Sequence, residues 1–203
     1  MFAKLNVECP KIEINENIFG KSFETKDSQN MSFKNLDDES KILLKKAIEN
    51  GVGGIKYSEL TLYKNIFESL VPKCLYNDNT DAFVLQVIRA KSYVTPHRDD
   101  TRKTAINFYL KTNNERTVFY KNPKKEIFAD GNYLYDLSWV EECDSFIAKD
   151  FDVYVLNVNK IHSVLNCKGE DNLRISVSFG TTLPYEEVYT ILKNNNLIWR
   201  END

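Results

Sequence analysis

The chain has 203 residues, 42% of them hydrophobic, which suits one globular domain with a substantial core. A net charge of −3 and a pI near 5.6 give no global basic surface, so nucleic acid is disfavoured as a partner. The N-terminal MFAKLNVECPKIEIN lacks the basic start and apolar run of a secretory signal, and no apolar stretch approaches the ~20 residues that span a bilayer. The expectation is a cytoplasmic protein with no membrane partner.

Residues 1–35 contain short candidate strands, FAKLNV, KIEIN and NMSF, in which Ile12 and Ile14 alternate with polar neighbours. From Leu36 the pattern turns helical. Ile42, Leu43, Ala47 and Ile48 make an apolar stripe, Asp37, Asp38 and Glu39 fall in the first turn, and Gly51 is placed to end the helix. A second helix is predicted from Ser58 to about Val71, with Leu62, Ile66, Phe67 and Leu70 on or near one face and Pro72 stopping it. The following VPKCLYNDNTD reads as a loop. These helices carry no motif and are expected to buttress a sheet.

From Asp81 onward strand follows strand: AFVLQVIRA, TAINFYL, RTVFYK, KEIFA joined through Asp130–Gly131–Asn132 to YLYDL, then DSFIAK, VYVLNV and LRISVSF. About eight short strands in ~100 residues predict a sandwich or small barrel, of which the double-sheet jelly roll is one form. PYEEVYTILKNNNLIW reads as a closing helix opened by Pro184. The organisation expected is a single domain over 1–203, with helical support at about 36–72, a β-core at about 81–182 and a C-terminal helix at about 184–199.

Cys9, Cys74, Cys143 and Cys167 are scattered without a CxxC pair, so they read as reduced structural thiols rather than a zinc site.

The residues that could carry chemistry lie in YVTPHRDDTRKTAINFYL. The chain has two histidines, and one of them, His97, begins a His-x-Asp triplet with Asp99. On a strand that spacing puts both side chains on one face and Arg98 on the other. Asp100 is the competing carboxylate, but it falls on the face opposite His97. Pro96 holds Thr95 extended, which predicts that the triplet ends the strand preceding it. The second histidine, His162, lies in the strand-like YVLNVNKIHSVLN, and Arg174 follows after the turn CKGEDN, so the two strands are expected to form a hairpin that folds Arg174 back toward His162. In LRISVSF, Arg174, Ser176 and Ser178 share one face while Leu173, Ile175, Val177 and Phe179 share the other. A polar stripe opposite an apolar one suits a ligand-holding interior. Two imidazoles and a carboxylate form the facial triad of non-haem Fe(II) sites. A nearby arginine can grip a carboxylate through charge-assisted hydrogen bonds.

The HRD triplet, the distal histidine in a strand and the R-x-S of the next strand resemble the Fe(II)- and 2-oxoglutarate-dependent dioxygenases. HRDDTRKTAINFYL and YVLNVNKIHSVLN are most similar to the prolyl-hydroxylase-like and aspartyl/asparaginyl-hydroxylase-like branches. The likeness covers roughly residues 81–182. It implies a mainly β fold with flanking helices, a double-stranded β-helix (jelly roll, cupin-like). It implies His97, Asp99 and His162 as metal ligands and catalytic residues, with Arg174 and Ser176 holding the distal carboxylate of 2-oxoglutarate. Tyr93 and Asn107 lie where family members place further cosubstrate contacts. The activity implied is hydroxylation of an amino-acid or peptidyl side chain, using Fe(II), O2 and 2-oxoglutarate and releasing succinate and CO2. The nucleic-acid demethylase branch carries a second arginine shortly after the first; here the next is Arg200, which disfavours that branch.

Two other classes stay open from sequence. One is a non-catalytic jelly-roll module that binds a partner or assembles a particle, which would not need an intact triad. The other is a cupin-type metalloenzyme that does not use 2-oxoglutarate. Beside the triplet, Arg98, Arg102 and Lys103 form a basic cluster that either steers an acidic substrate or is solvated surface. Tyr133, Tyr135 and Trp139 either cover the site or pack across their hairpin.

Overall fold

The structure is a computed structural model describing residues 1–12, 37–49, 61–76, 83–88, 90–129, 132–169 and 172–199. Its strands in chain order are β1 (Phe2–Lys4), β2 (Phe83–Ile88), β3 (His97–Asp99), β4 (Thr104–Lys111), β5 (Arg116–Lys121), β6 (Ile127–Ala129), β7 (Asn132–Leu134), β8 (Glu141–Ile147), β9 (Val153–Leu156), β10 (His162–Leu165) and β11 (Arg174–Thr181). The helices are α1 (Asp38–Glu49), α2 (Thr61–Glu68) and α3 (Tyr185–Asn194).

One sheet runs β1-β9-β4-β11-β2 and the other β6-β7-β3-β10-β5-β8, with antiparallel pairing throughout the described strands. The core pairs are nested: β2 with β11, β3 with β10, β4 with β9 and β5 with β8. Successive strands β2, β3, β4 and β5 alternate between the two sheets, and so do β8 to β11. A long antiparallel ribbon rolled up in this way is the jelly roll, so the fold class expected from sequence holds. The alternation also corrects two local expectations. The HRD triplet is a strand of its own, β3, in the sheet opposite its predecessor β2. And β10 and β11 form no hairpin, because the turn after β10 carries the chain into the other sheet.

Hydrophobic patterning explains which faces close. The five-stranded sheet turns Leu85, Val87, Ile106, Phe108, Val153, Val155, Ile175, Val177 and Phe179 outward onto Phe67 of α2 and Val188 and Leu192 of α3. Both helices therefore buttress this sheet. Helix α1 instead covers the six-stranded sheet, packing Leu43, Leu44 and Ala47 against Ile127, Leu134 and Trp139. Its buried stripe, Ser40-Leu43-Leu44-Ala47, follows the i, i+3, i+4, i+7 spacing. Ile42, assigned to the stripe from sequence, falls between the stripe's rows and is 55% exposed. The Asp37 carboxylate caps the helix by accepting from the Ser40 backbone N–H at 2.8 Å. Helix α2 ends at Glu68, earlier than predicted, Ile66 on it is exposed, and the expected loop contains a 3-10 turn at Lys73–Leu75. Helix α3 ends at Asn194, and Ile198 instead bridges to Leu5 beyond β1. The expected strand at NMSF, most of KIEIN, the cap Ser58, Gly51 and the Asp130–Gly131 turn lie outside the described residues.

The four cysteines are free, with Cys9 and Cys167 buried. No helix among the described residues is long and apolar enough to cross a membrane.

Phe67 is fully buried, with its ring 5.1 Å from that of Phe108, so it pins α2 to the sheet. Phe67→Ala is expected to cost about 3–5 kcal/mol of stability by cavity formation, measured as a lowered midpoint in urea unfolding.

Candidate metal centre

Strands β3 and β10 lie side by side with His97 directly opposite His162, so residues 65 positions apart (162 − 97) point from the same face with ring centroids 4.4 Å apart. Asp99, two residues along β3, returns to that face, and its Oδ1 lies 3.8 Å from His97 Nε2. One ligand-capable atom from each of His97, Asp99 and His162 can be chosen so that all lie within 4.8 Å of one another. Asp100, the rejected carboxylate, is exposed.

The ring nitrogens are set by the backbone. His97 Nδ1 is 2.8 Å from the Thr95 carbonyl oxygen and His162 Nδ1 is 2.9 Å from that of Lys160. A carbonyl only accepts, so each Nδ1 carries a hydrogen, and in a neutral ring Nε2 then keeps its lone pair for a ligand. Burial, followed by the neighbouring His97, pushes the His162 imidazole down to about 4, which keeps it neutral at physiological pH. Asp99 is 4% exposed. Burial alone would raise its carboxyl, but the Arg102 charge beside it holds it below the ordinary carboxylate range. Arg102 donates from Nε to Asp99 Oδ2 at 2.8 Å.

A second polar centre lies on the inner face of the opposite sheet. Arg174 opens β11 and is 3% exposed. Its Nη2 donates to Thr117 Oγ1 at 2.9 Å, its guanidinium sits 4.8 Å from the centroid of the Tyr109 ring, and its Nη1 has no hydrogen-bond partner. Among the described residues Arg174 has no recorded salt bridge. Ser176 and Ser178 follow on the same face, and the register sets Ser176 opposite Tyr109 and Ser178 opposite Asn107. The Asn107 Oδ1 and the Tyr109 hydroxyl are also buried without partners. Polar atoms in a folded interior are normally satisfied by protein groups, a ligand or ordered water.

Of the residues singled out in the sequence, the structure brings His97, Asp99 and His162 together and lines Arg174, Ser176 and Asn107 along the facing sheet. Tyr93 is not brought in. It bridges to Leu165, which packs with Val118, Tyr120, Tyr135 and Ile161 and lies an odd number of positions from His162, on the other face of β10. Thr117 and Tyr109 escaped the sequence reading, and Arg102 entered it only as a member of the basic cluster, not as a partner of Asp99. Thr117 and Tyr109 depend on sheet register, but Arg102 had a local signal, since a turn residue three positions after a strand carboxylate can fold back onto it.

The basic cluster divides. Arg98 points outward, stacking 3.9 Å over the Tyr133 ring and pairing with Glu126 at 3.6 Å, while Lys103 stays at the surface. Tyr135 and Trp139 are buried in packing clusters, and Tyr135 donates to Glu126 at 2.8 Å. These aromatic residues thus pack around their hairpin.

No protein-family model and no curated protein matches the sequence. Among solved structures, the chain is similar to ycfD of E. coli, an X-ray structure, at 12% identity and TM-score 0.34, over 61% of this chain and 33% of that one. It is also similar to the hydroquinone 1,2-dioxygenase PnpCD, a crystal structure in complex with Cd2+ and 4-hydroxybenzonitrile, at 14% identity and TM-score 0.35, over 68% of this chain and 88% of that one. The chain therefore spans about a third of the length of ycfD. The jelly roll itself rests on the strand pairing described above, and the site on this chain's own residues.

Because folded His162 titrates near 4 and an unfolded histidine near 6.5, the unfolded chain takes up a proton between these values that the folded chain refuses. The metal-free protein is expected to keep this contribution above pH 6.5 and to lose up to about 3 kcal/mol of it as the pH falls toward 4. Thermal melts across that window check this, and His162→Gln should flatten the dependence.

Proposed function

We propose that the protein is a metal-dependent oxygenase of the Fe(II)/2-oxoglutarate type that hydroxylates an amino-acid or peptidyl side chain within one domain. The observation that carries the 2-oxoglutarate part is Arg174, a buried cation with an unpartnered Nη1 on the sheet facing that of the metal-ligand cluster. A buried arginine normally has an anionic partner. None is recorded among the described residues, which favours an anion that arrives from outside.

The donor set fits the metal. Two imidazoles with their Nε2 atoms free and one ionised carboxylate, all within 4.8 Å, match the ligand type and number of a facial Fe(II) triad. His97, Asp99 and His162 would hold the ion, which when bound supplies the activation of O2. Arg174 would take the distal carboxylate of 2-oxoglutarate in a charge-assisted pair, with Thr117 keeping the guanidinium oriented and Ser176 offering a hydroxyl beside it. The reaction balances as substrate C–H plus O2 plus 2-oxoglutarate giving substrate C–OH, succinate and CO2. Asn107, facing the same interior with a free Oδ1, would accept a hydrogen bond from a bound molecule.

The purified protein should convert 2-oxoglutarate to succinate only with Fe(II) present, and His162→Ala or Asp99→Ala should abolish this conversion; undiminished turnover in either variant removes the triad assignment. Arg174→Met separates the proposal from a metalloenzyme that does not use 2-oxoglutarate. Losing one partner of a buried charge pair costs at least ~2 kcal/mol, so its KM for 2-oxoglutarate should rise roughly 30-fold or more. The same variant removes an unpaired buried cation, so without ligand it should melt no lower than wild type while losing the stabilisation conferred by 2-oxoglutarate.

A further inference from the structure

The side chain of Arg102 is committed in three directions at once. Its Nε and Nη2 both reach the same oxygen of Asp99, Oδ2, at 2.8 and 2.5 Å. Its Nη1 donates to Ser178 Oγ on β11, at 3.4 Å. Its aliphatic stem crosses Gly180 so closely that a Cβ added there would lie 2.5 Å from Arg102 Cδ and 3.3 Å from Cγ. Gly180 shares the inner face of β11 with Arg174, Ser176 and Ser178, following their two-residue period. The backbone is also fastened here, because the N–H of Lys103 donates to the Thr181 carbonyl at 3.0 Å and the N–H of Asp99 to that of Val158 at 3.1 Å.

This arrangement treats the two carboxylate oxygens of Asp99 differently. Two N–H donors occupy Oδ2, whereas Oδ1 faces His97 Nε2 at 3.8 Å. We propose that Arg102 is a positioning residue that grips one oxygen of Asp99 so that the carboxylate meets the metal through the other alone, and that Gly180 is required to let Arg102 reach it. The inference rests on the reading of His97, Asp99 and His162 as a metal centre. Its consequence is a coordination position that a carboxylate free to bind through both oxygens would close. Arg102 also sets its positive charge against this buried carboxylate. Lysine could supply the charge but not the two-nitrogen grip.

The test is Co(II) binding to the full chain, followed by calorimetry and by the visible ligand-field spectrum, in wild type, Arg102→Ala, Arg102→Lys, Gly180→Ala and the Arg102→Ala/Gly180→Ala double variant. Partners of metal ligands typically contribute 10–100-fold in metal affinity. Arg102→Ala is expected to weaken Co(II) binding by about 10-fold or more and to alter the spectrum as Asp99 turns. Gly180→Ala should shift both readouts the same way, because its methyl displaces Arg102, and it should add nothing once Arg102 is alanine. Arg102→Lys should recover part of the affinity and not the spectrum. If Arg102→Ala does not fold, Gly180→Ala and Arg102→Lys carry the same decision through the spectrum. Wild-type affinity and spectrum in Arg102→Ala, or a Gly180→Ala effect that persists in the double variant, overturns the proposal. If Co(II) binds wild type, is lost in His162→Ala and is indifferent to Arg102, this inference alone falls. If wild type takes up no Co(II), the metal-centre reading falls and this inference with it.

Discussion

The arrangement depends on β11, a strand buried along its whole length whose two faces meet opposite chemistry. It lies between β2 and β4, so its backbone is paired on both sides. Ile175, Val177 and Phe179 lock the sheet to the helices, while Arg174, Ser176, Ser178 and Gly180 face the space between the sheets. Strand period leaves no freedom here: with the apolar set fixed against α2 and α3, the polar set has to point inward. A guanidinium is thereby placed in the interior with a threonine, an aromatic face and one unmet donor. Replacing a buried charge by an apolar residue of similar size is often neutral or stabilising. Stability alone is therefore a poor explanation of the cation.

The nested pairing of the jelly roll does for the histidines what β11 does for the arginine. Rolling the ribbon makes β3 and β10 neighbours although most of the core lies between them in sequence. Each histidine then uses the same device, bonding its Nδ1 to the carbonyl two residues earlier, at Thr95 and at Lys160. The backbone entering each strand therefore sets ring orientation and tautomer without a second side chain. Orientation by rigid elements is what a metal site needs if its ligands are to be in place beforehand. Among the described residues Asp99 has no such backbone device on its carboxylate, and Arg102 holds it instead.

What the sequence revealed follows from which distances are short along the chain. The common face of His97 and Asp99, the outward turn of Arg98 and the split faces of β11 are consequences of a two-residue period, and each matches the structure. Sheet membership is not periodic. A six-residue turn between two strands fits a hairpin and a crossing between sheets equally well, and so the β10–β11 connection was misjudged. Ile42 was misassigned for a related reason: a hydrophobic residue beside a stripe looks like part of it until the rotation of the helix against its sheet is known. Tyr93 shows the limit from another side. It stands close to His97 in sequence, yet a bridge to Leu165 turns it to the far face of β10.

The basic cluster Arg98–Arg102–Lys103 shows why a run of charge in sequence is not yet a patch in space. Strand alternation sends Arg98 to the outer face, where Glu126 and the Tyr133 ring satisfy it. The turn after β3 sends Arg102 inward, where Asp99 and Ser178 engage it. Only Lys103 is left at the surface, and its backbone, rather than its side chain, is what ties the turn to β11. Three like charges within six residues therefore do separate work, so attraction of an acidic substrate cannot be credited to them jointly. Polar atoms still without partners belong instead to Asn107 and Tyr109, which face the interior.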